Sequence, residues 1–215
     1  MPKYFFLLLS AVGSLLLMGS CEGIFEDLYD TPPATASDGF GFIETNAATK
    51  SGTIYIDVTS YKRWTYISLK NKTTDTSNIV MGQEAPAVWD FALHRYDVRT
   101  NGGAAFETSY STLDEVRSGG IPAGAVFTAD TLSQVVIDMS HMIDGYLDYD
   151  TCMVNPVLSR WLNVDLSTMP PVYTPSLRPY LLRLYDGSYA ALFFANFMDE
   201  ASVKGYVTIK YIYPL

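Results

Sequence analysis

From residue 53 onward the chain alternates apolar and polar residues with a period of two. TIYIDV (53–58), RWTYISL (63–69), QVVID (134–138), RPYLLRLY (178–185), SYAALFFANF (188–197) and KGYVTIKYIYPL (204–215) all show it. That is the pattern of a strand with one face toward a core. In the last segment Val207, Ile209, Tyr211 and Tyr213 share one face, and Tyr206, Thr208, Lys210 and Ile212 the other. The stretch WDFALHRYDVRTNGG (89–103) alternates too. Trp89, Phe91, Leu93, Arg95 and Asp97 oppose Asp90, Ala92, His94, Tyr96 and Val98. Both faces are partly apolar, which predicts one central strand over 89–99, followed by turn chemistry at Asn101-Gly102-Gly103. Asp186-Gly187, set between two apolar runs, predicts a hairpin. STLDEVRSGG (111–120) predicts a short helix ending at Gly119. No helical stretch is long enough to cross between parallel strands, so the expected fold is all-β and antiparallel.

Composition sharpens this picture. Hydrophobic residues make up 48% of the 215 and charged residues 17%, enough for a sizeable core and incompatible with global disorder. The net charge of −9, with no basic run, argues against nucleic acid as a partner. The first residues read differently. Lys3, an apolar stretch and then Gly19-Ser20-Cys21 resemble a bacterial lipoprotein signal over 1–20, cleaved before Cys21. The Cys21 thiol and the new amine would be acylated, which anchors a protein to a membrane without spanning it. Residues 21–50, acidic and with Pro32-Pro33, read as a flexible tether, and 51–215 as one domain. Glu22, Glu26 and Asp27 resemble the surface-export signals of Bacteroidetes lipoproteins. Cys152 would then be the remaining cysteine, so the core must hold the fold without an intramolecular disulfide. An inert buried thiol is the expected state of Cys152.

Candidate chemistry concentrates first in 89–103. His94 is either a base or ligand held by Asp90 or Asp97, or a core histidine bonded to a neighbouring strand or carboxylate. The second reading is favoured because no partner nucleophile is signalled. The chain contains no GxSxG, HExxH, GxGxxG, P-loop or CxxC motif, and two histidines cannot build a His-rich zinc site. Arg95 and Arg99 are expected to pair with the aspartates. Asp148 and Asp150 point the same way if they lie on one strand and offer no assigned acid and base, so the chain is not read as an enzyme.

The same stretch carries a resemblance. WDFALHRYDVRTNGG resembles the characteristic segment of the HmuY family, haem-binding lipoproteins (haemophores) of Bacteroidetes. YKRWTYISL resembles the family's early strand, and RPYLLRLYDGSYAALFFANFMDEASVKGYVTIKYIYPL its C-terminal hairpin and last strand. The likeness spans about 53–215. It implies a hand-shaped all-β fold with haem between projecting hairpins, and a structural role for His94. In the Porphyromonas member two hairpin histidines hold the iron, and Leu166 stands here at the second of those places. Relatives from Tannerella, Prevotella and Bacteroides use two methionines. Met169 matches the second by motif, and Met142 the first by spacing. Met139 and His141 are rivals to Met142, and they share strand parity, with Met142 on the other face if the strand continues. Tyr146, Tyr149 and Tyr173 are candidates to stack on the porphyrin or bond its propionates. A neutral thioether favours ferrous iron, and methionine ligation raises the haem potential.

The implied function is capture of haem from host haemoproteins at the cell surface and delivery to a TonB-dependent outer-membrane receptor. The implied location is the outer membrane, with the protein lipid-anchored, surface-exposed and able to be released. The alternative is a haem-independent binding or adhesion lipoprotein on the same scaffold.

Overall fold

A computed structural model describes residues 39–165, 167 and 171–215. The largest sheet has seven strands. Their order is β1 (Gly41–Asn46), β2 (Ser51–Asp57), β15 (Lys204–Ile212), β14 (Tyr189–Met198), β13 (Tyr180–Arg183), β7 (Ala104–Glu107) and β8 (Thr128–Ala129). A second sheet orders β4 (Thr73–Asn78), β3 (Arg63–Ser68), β5 (Phe91–His94) and β6 (Asp97–Thr100). Two ribbons complete the strands: β9 (Thr131–Asp138) with β10 (Asp148–Val154), and β11 (Leu162–Asp165) with β12 (Val172–Pro175). The pairings in all four are antiparallel, as the alternation predicts.

The main core joins the two larger sheets. Ile54, Leu182, Leu192 and Ile209 from the first meet Ile67, Phe91, Leu93 and Val98 from the second. Trp161 fills the same cluster and stacks on Phe194 with ring centroids 4.7 Å apart. Each side chain of this size adds roughly 1.5–3 kcal/mol on burial, so this cluster fixes how the sheets lie. The ribbons are built otherwise. In β9–β10 the buried residues are Val135 and Val154, and in β11–β12 Leu162. Along β10, β11 and β12 exposed positions alternate with packed ones, so each ribbon turns one face to the body and the other to solvent.

Three local outcomes bear on the sequence reading. The expected single strand over 89–99 is two strands. The chain reverses at Arg95-Tyr96, and His94 pairs with Asp97 across the turn. Arg95 takes a φ of +54° with no glycine to ease it. The conformation is held from the side chain, whose Nη1 donates to the carbonyls of Thr59 (2.8 Å) and Val58 (3.3 Å). This anchor is tertiary and invisible to a turn-residue pattern. Second, β1 lies in the stretch assigned to the tether, so the sheet starts at Gly41 and not at Ser51. β1 survives as strand because β2 offers it a free edge. Third, the helix forms as predicted over Leu113–Gly119 (α1). The Thr112 hydroxyl accepts from the Glu115 N–H, and Gly120 caps the other end. The Asp186-Gly187 hairpin also forms, with Gly187 at φ +85° and the Leu184 N–H on the Ser188 carbonyl. No helix among the described residues is long and apolar enough to cross a membrane.

Candidate functional site on two hairpins

The 89–103 stretch is scaffold. His94 is fully buried, and its Nε2 lies 2.6 Å from the Tyr61 carbonyl. A carbonyl only accepts, so Nε2 carries the proton. Nδ1 has no hydrogen-bond partner among the described residues, and the Asp97 carboxylate stands 3.6 Å away. Asp90 is turned elsewhere, accepting from the Leu69 N–H at 2.6 Å. The expected arginine–aspartate pairs do not occur among the described residues. Arg95 lies over Tyr61, and Arg99 over the rings of Trp64, Tyr66 and Trp89 at 4.4, 5.1 and 5.3 Å, with a bond to the Tyr66 hydroxyl. Guanidinium faces are weakly hydrated and stack well on rings, so the aromatic-rich surroundings win over the carboxylates.

That aromatic platform seats the first hairpin. Val135, Ile137, Cys152 and Val154 of β9–β10 pack on Trp64, Tyr66, Ala92 and Trp89. Lys62 reaches across to Asp138 at 3.0 Å. The Asp138 carboxylate also accepts from the Ser140 N–H at 2.8 Å. These bonds, the Ser140 contacts foremost, hold it down to about 2. Burial pushes the Cys152 thiol up to about 11, in keeping with an unreactive thiol.

Beyond Asp138 the strand stops, so strand parity does not sort Met139, His141 and Met142 as expected. The chain closes instead into a 3₁₀ turn over Met142–Asp144, with the Met142 N–H on the Met139 carbonyl and Gly145 at φ +88°. Asn- and Gly-poor sequence before the turn hid this; Gly145 alone signals it. The Met142 side chain is 49% exposed and Ile143 95%. Met139 is half-buried. The His141 ring stacks on Tyr146, centroids 4.7 Å apart, and its Nδ1 lies 3.4 Å from Asp144.

The second hairpin is rooted through Leu162, Val164 and Tyr173 in the main core. The Tyr173 ring stacks on Phe197 at 5.5 Å and carries the Lys204 ammonium 4.3 Å from its centroid. Tyr173 is therefore a root residue and not a free porphyrin stacker. Of the tyrosines read as ring contacts, Tyr149 is the one left exposed and unstacked among the described residues. At the tip, Asp165 accepts from the Ser167 hydroxyl and N–H, which lowers its pKa. Leu166 and Met169, like Cys21 and the 1–20 signal, lie outside the described residues.

The HmuY protein family matches residues 60–211. The chain belongs to the HmuY family. An HmuY-like heme binding protein from Bacteroides vulgatus ATCC 8482 is 44% identical, with a TM-score of 0.78 over 82% of this chain and 99% of that one. A lipoprotein from Bacteroides fragilis NCTC 9343 is 45% identical, with a TM-score of 0.79 over 85% and 99%. The apo HmuY analog of Tannerella forsythia is 26% identical, with a TM-score of 0.64 over 75% and 94%. No curated protein matches the chain. In this HmuY-family protein the sequence reading missed Lys62 and Asp138 as the brace of the first hairpin. The signal was weak, since a lone lysine beside a strand and a lone aspartate after one are common on any surface. No group of three metal-ligating His, Cys, Asp or Glu side chains occurs among the described residues.

Proposed function

We propose that this HmuY-family protein is a lipid-anchored surface haemophore that captures haem and passes it to a TonB-dependent outer-membrane receptor. The observation that supports the reading is the first hairpin tip. It offers a half-exposed thioether beside a nearly fully exposed isoleucine and an aromatic pair, away from the core. Methionine in a core is filler, but there it is packed, and Met142 is not. An apolar tip with one soft donor fits a porphyrin face and its iron. Bound haem would supply an iron centre whose ferrous state prefers neutral sulfur. Met142 and Met169 would hold it, and Ile143 and Tyr146 would shield the ring from water.

Haem titration of the purified protein, with and without a reductant, tests this. A Soret shift is expected in both states, with tighter binding when reduced. Met142→Ala and Met169→Ala should each weaken binding at least about tenfold. Absence of a Soret shift in either state overturns the function, and unchanged spectra in both variants overturn the ligand assignment. His141 is the second candidate on the first hairpin, because its ring is exposed and braced by Tyr146 and Asp144. A histidine ligand must be deprotonated, so in that case haem affinity falls on acidification and His141→Ala abolishes the fall.

A further inference from the structure

An open cleft of about 610 Å³ runs beside β7. Phe106, Pro122, Val126 and Val157 give it an apolar floor, and Arg160 and Arg178 stand at its wall. Val126 is 77% exposed, while Phe106 and Val157 are partly buried and root the lining in the core. The volume lies within the range of small-ligand sites. The cleft has two guanidinium groups and one facing carboxylate, Glu107, 3.6 Å from Arg160. In a chain with net charge −9 this is a local reversal of sign.

The two cations line the same cleft, with Glu107 and Thr108 of the β7 end between their segments. Thr108 fixes the wall by donating through its hydroxyl to the Pro179 carbonyl at 2.7 Å, next to Arg178. Arg178 itself spends one N–H on the Ser109 carbonyl at a long 3.4 Å, and Arg160 is 65% exposed in its pair. An exposed ion pair and a single long bond hold the two guanidinium groups weakly, so both can turn to a better partner. A planar fork of N–H donors matches a carboxylate bidentately.

We propose that this cleft binds a small organic carboxylate with an apolar body, its carboxylate held by Arg160 and Arg178 and its body laid on Phe106, Val126 and Val157. No residue of the 139–147 tip lines the cleft, and the site does not depend on haem.

The test is an NMR titration of the full protein with sodium decanoate, decanol and inorganic phosphate. Decanoate should shift the amides of Phe106, Val126 and Val157 in a saturable, salt-sensitive way. Arg160→Ala and Arg178→Ala should each weaken it about fivefold or more. Glu107→Gln should tighten it, because it releases Arg160 from its present partner. Met142→Ala should leave it unchanged. Equal affinity for decanol, equal affinity for phosphate, no shift at those amides, or affinity indifferent to both arginine variants would each overturn the proposal. Both arginines are exposed, so the variants keep the fold, and an unchanged amide pattern elsewhere verifies it.

Discussion

In the β5–β6 hairpin His94 stands three residues before Asp97, and at the first hairpin tip His141 stands three residues before Asp144. The ring-to-carboxylate distances are nearly equal, 3.6 and 3.4 Å. The surroundings are not. The His94 side chain is 1% exposed, bonded to Tyr61 and packed on Trp64. The His141 side chain is 48% exposed and leans on one tyrosine that is itself half in water. Identical chemistry at identical spacing thus serves as fold cement in one region and as an available surface group in the other. Burial decides which, and burial comes from the strands on either side.

Removing each ring should separate the two sites most. His94→Ala deletes a fully buried aromatic and leaves the Tyr61 carbonyl without its donor, so it should cost about 3 kcal/mol. His141→Ala should stay within about 0.5 kcal/mol, the usual range for an exposed site. Urea denaturation read by tryptophan fluorescence measures both. Similar losses in the two variants would mean that the tip is as integral as the body.

A smaller effect is expected where the body meets the hairpin. Arg99 lies over three rings of the platform that carries β9–β10. Arg99→Ala should cost about 1–2 kcal/mol through lost stacking and stem packing, while Arg99→Lys should recover only part of it, because an ammonium cannot lie flat on a ring. Thermal unfolding of the two variants checks the order. Cys152, on the same platform, offers a chemical readout. With its thiol held up at about 11, alkylation at pH 8 should be at least about tenfold slower than in the urea-unfolded chain. The raised value also means that folding favours the protonated thiol. This contribution is whole below pH 9, the ordinary thiol value, and fades as pH rises toward 11.

The body was legible from the sequence because its period-two segments are long and apolar. Burial of Ile54, Ile209 and Leu192 repeats what their spacing implies. Three things were not legible, each for a physical reason. The reversal at Arg95 depends on carbonyls of residues 58 and 59, which no local pattern contains. The polar strand β4, TTDTSN, and the polar strand β1 have little alternation, since they lie at sheet edges and bury few side chains. The tip over 139–147 follows neither a strand nor a helix period, so whether Met139, His141 or Met142 faces outward could be read only from the turn. The likeness to a family singled out this loop, and in it Met142 is more exposed than the half-buried Met139.

The mildest prediction addresses how firmly the tip is joined to the body. Asp138 is held at about 2, first by the Ser140 backbone and then by Lys62. A carboxylate whose folded pKa is depressed adds stability that is complete above its ordinary value near 3.8 and disappears as pH falls toward 2. The effect should therefore appear as loosening of the 139–147 loop between those limits, with the buried strands unaffected. Carboxyl-resolved NMR should give Asp138 a midpoint near 2. Lys62→Ala should raise it only part-way, because the Ser140 N–H lies inside the hairpin and stays. A midpoint that returns fully to the ordinary value in Lys62→Ala would show that the salt bridge alone shapes the turn, and a wild-type midpoint near 4 would show that the hairpin tip is not braced at all. Either result would move the boundary between rigid body and available tip from Asp138 back to the platform at Trp64 and Tyr66.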